Sequence, residues 1–101
     1  MYVAVALFEL HIEFADSLKD KRMVVKSLRD RIRSRFGMSC GEVGLQDVHQ
    51  RARLGLCFIA VERTTAEATF EKIQSFIESA SDAPVVGWTS ELLDFDETVA
   101  L

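Results

Sequence analysis

From Tyr2 to Phe14 every even position is apolar (Tyr2, Ala4, Ala6, Phe8, Leu10, Ile12, Phe14), while the odd positions run Val3, Val5, Leu7 and then Glu9, His11, Glu13. A period of two over this length predicts a central strand with one face buried and a second face that is covered first and wet later. Asp16 or Ser17 then offers an oxygen to the free amides of a helix start. Leu18, Val25, Leu28, Ile32 and Phe36 recur at helical spacing until Gly37 ends the run. Met38–Val43 is short, contains Gly41 and reads as a weak edge strand, followed by the polar connection LQDVHQRA. Leu54–Glu62 is apolar on both faces, which suits a second central strand.

Thr64 and Glu67 have the spacing of a capping box, and Ala66, Phe70, Ile73 and Ile77 form one stripe, so a second helix is expected to about Ser79. Asp82 and Pro84 break the chain, and Val85–Phe95 returns as a last strand containing Trp88. The order is βαββαβ. With right-handed crossovers this gives an α+β ferredoxin-like sandwich, a four-stranded antiparallel sheet carrying two helices on one face. The expected domain covers residues 1–95, and residues 96–101 form a short acidic tail that frays.

A chain of 101 residues with 49% hydrophobic content can bury one core without metal or disulfide staples. The two cysteines, Cys40 and Cys57, fall in separate strands without metal-ligand spacing, so reduced thiols and no metal or cofactor are expected. The first apolar run is cut by Glu9, His11 and Glu13 before it is long enough for a bilayer, and the chain reads as mature, soluble and cytoplasmic.

Charge changes the picture. The formal net charge is −4, which argues against a surface that binds polyanions everywhere. Yet Ser17 to Phe36 holds eight of the twelve Lys and Arg residues against two aspartates, a local +6 on a remainder of −10. On a helical wheel Lys19, Arg22, Lys26, Arg29 and Arg33 fall within an arc of about 80° beside the apolar face. Arg22/Lys26 and Arg29/Arg33 are like-charged neighbours, so something must offset their repulsion. One reading is an anion site, with Lys19, Lys21 and Arg22 around the helix start holding a phosphate while the stripe tracks a nucleic-acid backbone. A second is pairing within the protein or across a dimer, for which Glu67, Glu71 and Glu78 on the second helix are the available carboxylates, and a third is a merely solvated face. Phe36, Phe58, Phe70 and Phe76 all sit in buried patterns, so backbone and shape recognition is expected in place of base stacking.

The connection gathers Gln46, Asp47, His49, Gln50, Arg51 and Arg53. These groups either fasten the loop, with Asp47 pairing Arg51 or Arg53, or form a recognition surface. Asp47 and His49 have only Ser39 and Cys40 as nearby nucleophile candidates, and no catalytic residue is expected. Acylphosphatases share this topology and length, but the loop FADSLKDKR lacks their glycine-rich GxVQGVxFR pattern, so that resemblance stops at topology.

SLKDKRMVVKSLRDRIRSRF followed by EVGLQDVHQRARLG resembles the YlxP-like family of small bacterial proteins of unknown function. Ser17, Lys19, Asp20, Lys21 and Arg22 match its first motif, and Gln46, Asp47, Gln50, Arg51 and Ala52 its second. The resemblance implies a ferredoxin-like fold, no catalytic residues, and genes that often lie beside those for translation initiation and ribosome maturation. The expectation is therefore a non-enzymatic accessory domain that binds ribosomal RNA or a translation factor through its basic helix. The alternative is a homo-oligomerising module, built on the Met38–Val43 edge or on helix charges paired across a dimer.

Overall fold

The computed structural model describes residues 1–80 and 82–101. Strand β1 (Tyr2–His11) leads into helix α1 (Leu18–Phe36), strands β2 (Ser39–Gly44) and β3 (Arg51–Ala60), helix α2 (Arg63–Ala80) and strand β4 (Val85–Asp94). The sheet is antiparallel in the order β2-β3-β1-β4, with both helices on one face, as the pattern predicts. Even-numbered residues of β1 meet their neighbours on the helix side, with Ala4 beside Phe58 and Phe8 beside both Leu54 and Trp88. Val25, Leu28 and Ile32 of α1 and Phe70, Ile73 and Ile77 of α2 close this core. Phe8 stacks on Trp88 at 5.8 Å between centroids, and Phe70 meets Phe58 edge-on at 5.3 Å.

Both ends of α1 are capped as the sequence foretells. Ser17 is extended and its Oγ accepts from the Asp20 amide at 3.1 Å, while Asp20 Oδ2 accepts from the Asp16 amide at 3.1 Å. Gly37 takes a left-handed φ of 62° and donates its amide to the Arg33 carbonyl.

Several boundaries differ from expectation. β1 stops at His11: the bond from the Ile12 amide to the Gln50 carbonyl at 2.8 Å extends the β3 register by one further pair, and beyond it Phe14 is left exposed. β3 starts at Arg51, three residues early, because its register with β1 continues to His11 opposite Arg51. Backbone pairing there overrides a polar composition. α2 begins at Arg63 through a bond from the Ala66 amide to the Glu62 carbonyl, so Thr64 lies inside the helix and caps nothing. The acidic tail folds back, with Glu97 paired to the N-terminal ammonium and the Phe95 amide donating to the Met1 carbonyl. The largest departure is the second face of β1 and β3: no element covers it, and Val5, Leu7 and Ile59 lie open to solvent.

Two charged clusters tie distant segments together. Lys21, expected in an exposed anion pocket, is only 1% exposed. Its Nζ donates to the carbonyls of Leu45 and, at 2.7 Å, Val48, and Glu42 of β2 supplies the counter-charge at 2.9 Å. Among the described residues Glu42 Oε2 takes no hydrogen bond, so this contact is coulombic. Leu45 holds a left-handed φ of 58°, strained for a side chain of its shape, and Lys21 grips the carbonyls on both sides of that turn. On the open face, Glu9 of β1 receives Arg51 at 3.1 Å and Arg53 at 3.0 Å. The predicted pairing of Asp47 with these arginines does not form, because the strand register delivers Glu9 to them instead.

Removing the ammonium leaves Glu42 and two carbonyls without their partner. Lys21→Met is therefore expected to lower unfolding free energy by about 3–5 kcal/mol in urea titrations. Adding Glu42→Gln should recover part of the loss by deleting the stranded charge. A single variant within about 1 kcal/mol of wild type would sink this account.

The hydrogen bonds from Arg51 and then Arg53 hold the Glu9 carboxyl below its ordinary range. A depressed native value means the stabilisation is complete above the unfolded glutamate pKa near 4.3 and is lost as pH falls through the native one. Melting of Glu9→Gln against wild type should show a gap at pH 7 that closes under acid. A gap that is constant with pH would contradict the assignment.

Candidate functional site

The basic surface is organised by α1, whose apolar arc rests on the sheet and whose charged arcs diverge to either flank. Arg33 Nε donates to the Cys40 carbonyl at 2.9 Å, which places the stripe on the β2 flank. Arg31 donates to the Ala80 carbonyl at the end of α2, also at 2.9 Å, so the opposite arc faces the second helix. The carboxylates of α2 therefore lie across the layer from the stripe. Glu67 is placed with Arg63 of its own helix at 3.9 Å, and Glu71 lines the groove between the helices. Within one chain, pairing of the stripe by Glu67, Glu71 or Glu78 does not occur among the described residues.

Of the expected site residues, Lys19, Arg22 and Lys26 are exposed and have no ion-pair partner among the described residues. Arg29 is half-buried and bonds Asp30 at 3.2 Å, a local contact that leaves the stripe positive. Arg33 spends one N–H on Cys40 and remains exposed. Lys21 is withdrawn, and the sequence did contain the signal: on the helical wheel it falls between the buried Leu28 and Ile32.

Lys21 also positions the β2–β3 loop against the first turn of α1. Gln46, Asp47, His49 and Gln50 are exposed on it, and the Gln50 carbonyl is held by Ile12. Their side chains take no hydrogen bond among the described residues, and the loop that carries them is tied to α1 by Lys21 at the Leu45 and Val48 carbonyls. Arg51 belongs to the sheet and to Glu9, and Ala52 is buried.

Two cations were missed by the stripe reading. Arg31 and Arg35 lie over the Phe76 ring at 5.5 and 5.0 Å, and with Lys72 they line a groove of about 690 Å³ between the helices. Their signal was the other edge of the same apolar arc. Phe36 meets Phe76 edge-on at 5.5 Å, and both rings are half-buried.

Burial pushes the Cys40 thiol up to about 11 against the opposing charges of Arg33 and Arg29, so it is protonated at neutral pH, while Cys57 is free and exposed. Among the described residues no three His, Cys, Asp or Glu side chains converge on a metal position, and no helix is long and apolar enough to cross a membrane.

Comparison with known proteins agrees with this architecture. A de novo designed protein with a ferredoxin fold, LFR1 1, superposes with a TM-score of 0.51 at 14% identity, covering 100% of this chain and 92% of that one. At that identity the likeness concerns the fold alone. The uncharacterized protein YlxP of Bacillus subtilis (strain 168) is 35% identical over 65 residues, which span 64% of this chain and 71% of that protein. Residues 3–89 match the family model described as protein of unknown function (DUF503). The chain thus belongs to the DUF503 family, and is YlxP-like within it.

Proposed function

We propose that this protein is a non-enzymatic accessory domain that binds the phosphate backbone of structured RNA, ribosomal RNA in the first instance, along the β2 flank of α1. The observation that carries this reading is the row Lys19, Arg22 and Lys26, exposed and without ion-pair partners among the described residues on a chain of net −4. Arg29 and Arg33 extend the row toward the helix end. Gln46 and Gln50 supply hydrogen-bond donors and acceptors at its margin, suited to sugar and phosphate contacts. Lys21 acts here as the anchor that sets the loop beside the stripe.

Pairing of β2 with its copy is the less favoured alternative. That edge is six residues long, and its register breaks between Glu42 and Gly44, a bulge of the kind that blunts an edge against further pairing. Phosphate capture at the helix start is also less favoured, since Ser17 already caps it and Lys21 is turned inward.

Fluorescence anisotropy with ribosomal RNA, and sedimentation with ribosomal subunits, test the proposal. If four phosphates are neutralised, affinity is expected to fall about 10²-fold between 50 and 200 mM salt. The variant Lys19→Glu, Arg22→Glu, Lys26→Glu should bind at least tenfold more weakly with a shallower salt slope, while melting like wild type. Binding that ignores salt, or that survives the triple reversal unchanged, overturns the reading.

A further inference from the structure

We propose that the open face of the sheet is a dimerisation surface whose partner is a second copy of this chain. Odd-numbered residues of β1 put Val3, Val5 and Leu7 on this face, in rows with Ile59, Cys57 and Gly55 of β3 and with Leu93, Glu91 and Thr89 of β4. Ile59 is 69% exposed, Val43 58% and Leu93 46%. A contiguous apolar face of this kind is uncommon on a monomer and marks an interaction site.

Three observations select a second copy. The first is charge. Glu9 with Arg51 and Arg53 carries one net positive charge, and the carboxylate of Glu91, at the β4 edge, offsets it, so these four residues sum to zero. The basic stripe belongs to the helix layer on the opposite side of the sheet. Nothing on this face selects a polyanion or a strongly charged protein.

The second is relief. One end of the face carries the projecting side chains Ile59 and Leu93. The other end carries two hollows. A hollow of about 360 Å³ is floored by Gly41 and Gly55 and walled by Val5 and Val43. Another of about 390 Å³ lies beside Gly87, between Leu7 and Thr89, with Trp88 and the paired Glu9 and Arg53 also on its lining. A β-carbon at Gly55 would project into the first and stand 3.3 Å from Val43 Cγ1, a tight contact that the exposed valine would have to relieve. The row Val5, Cys57, Glu91 lies midway between knobs and hollows along the strands. A two-fold axis crossing the strands at that row brings Ile59 of each copy over the Gly55 hollow of the other, and Leu93 over the hollow at Thr89. The surface is thus complementary to itself, the requirement for an isologous interface. The angle of about 30° between aligned packed sheets shifts the two Glu91 positions by only a few ångströms, so these carboxylates must extend from the edge into solvent.

The third is size. Strand spacing of about 4.8 Å and a rise of about 3.3 Å per residue give this face a footprint of about 20 by 30 Å, on the order of 600 Å². A standard interface takes roughly 800 Å² from each partner, so the expected assembly is a reversible dimer.

The test is sedimentation equilibrium of the whole chain from low micromolar to submillimolar concentration, for wild type, Ile59→Glu and Leu93→Glu. Both substituted positions are exposed, so each variant should keep the wild-type circular dichroism spectrum. Wild type is expected to dimerise and both variants to stay monomeric over the same range. Packed sheets place the two Cys57 Cα atoms about 10 Å apart, too far for a disulfide but within reach of a short bis-maleimide. That reagent should yield covalent dimer from wild type, much less from Ile59→Glu, and none from Cys57→Ser, in which the buried Cys40 thiol is the remaining cysteine. A wild type that is monomeric throughout, or a dimer that persists in both glutamate variants, overturns the proposal. The first outcome assigns the face to a different protein, and the second assigns dimerisation to another surface.

Discussion

The constraint on which this structure depends is the burial of one ammonium group. Lys21 enters the layer between α1 and the β2–β3 connection, where water is excluded and every donor must find an acceptor. Its acceptors come from a turn with a left-handed leucine, and its counter-charge from Glu42 on the helix-facing side of β2. One side chain therefore fixes the rotation of α1 about its axis, the path of the loop and the position of the edge strand. Once that rotation is set, the remaining cations of the helix have no freedom over where they emerge: one arc goes to the β2 flank and one to α2.

This division explains why a helix of like charges is tolerated. Arg31 and Arg35 are answered by a carbonyl and by the face of Phe76, and Arg33 by the Cys40 carbonyl. These are dipoles and quadrupoles, which accept a cation without cancelling it. The charge of the stripe consequently remains available outside, whereas an equal number of surface ion pairs would have silenced it.

The elements and the core were legible because they depend on local periodicity: the buried even positions of β1 and the stripes Val25, Leu28, Ile32 and Phe70, Ile73, Ile77 appear where the spacing puts them. The roles of Lys21, Arg51 and Arg53 were not, because their partners lie 21 to 44 positions away in the chain. Two of the Lys21 partners are backbone carbonyls, which carry no residue signature at all. Asp47 was the plausible mate for the arginines by proximity in sequence, and the strand register overruled it. The family motif around Ser17 is likewise divided by the structure into residues that build and residues that are free: Ser17, Asp20 and Lys21 shape the helix start and its loop, while Lys19 and Arg22 face solvent.

The sheet order carries a consequence for synthesis. Of the six elements β1 is made before the others and is a central strand of the sheet, yet one of its neighbours, β4, follows all the rest. Until Val85–Asp94 has emerged, an apolar strand with one unpaired edge must wait, shielded on the helix side by α1 and paired at most with β3. Nascent chains in that condition are the ones that aggregate or engage chaperones. The lysine latch is complete by Val48, about halfway along the chain, and so lets the first half assemble around β1 while the second half is still being translated.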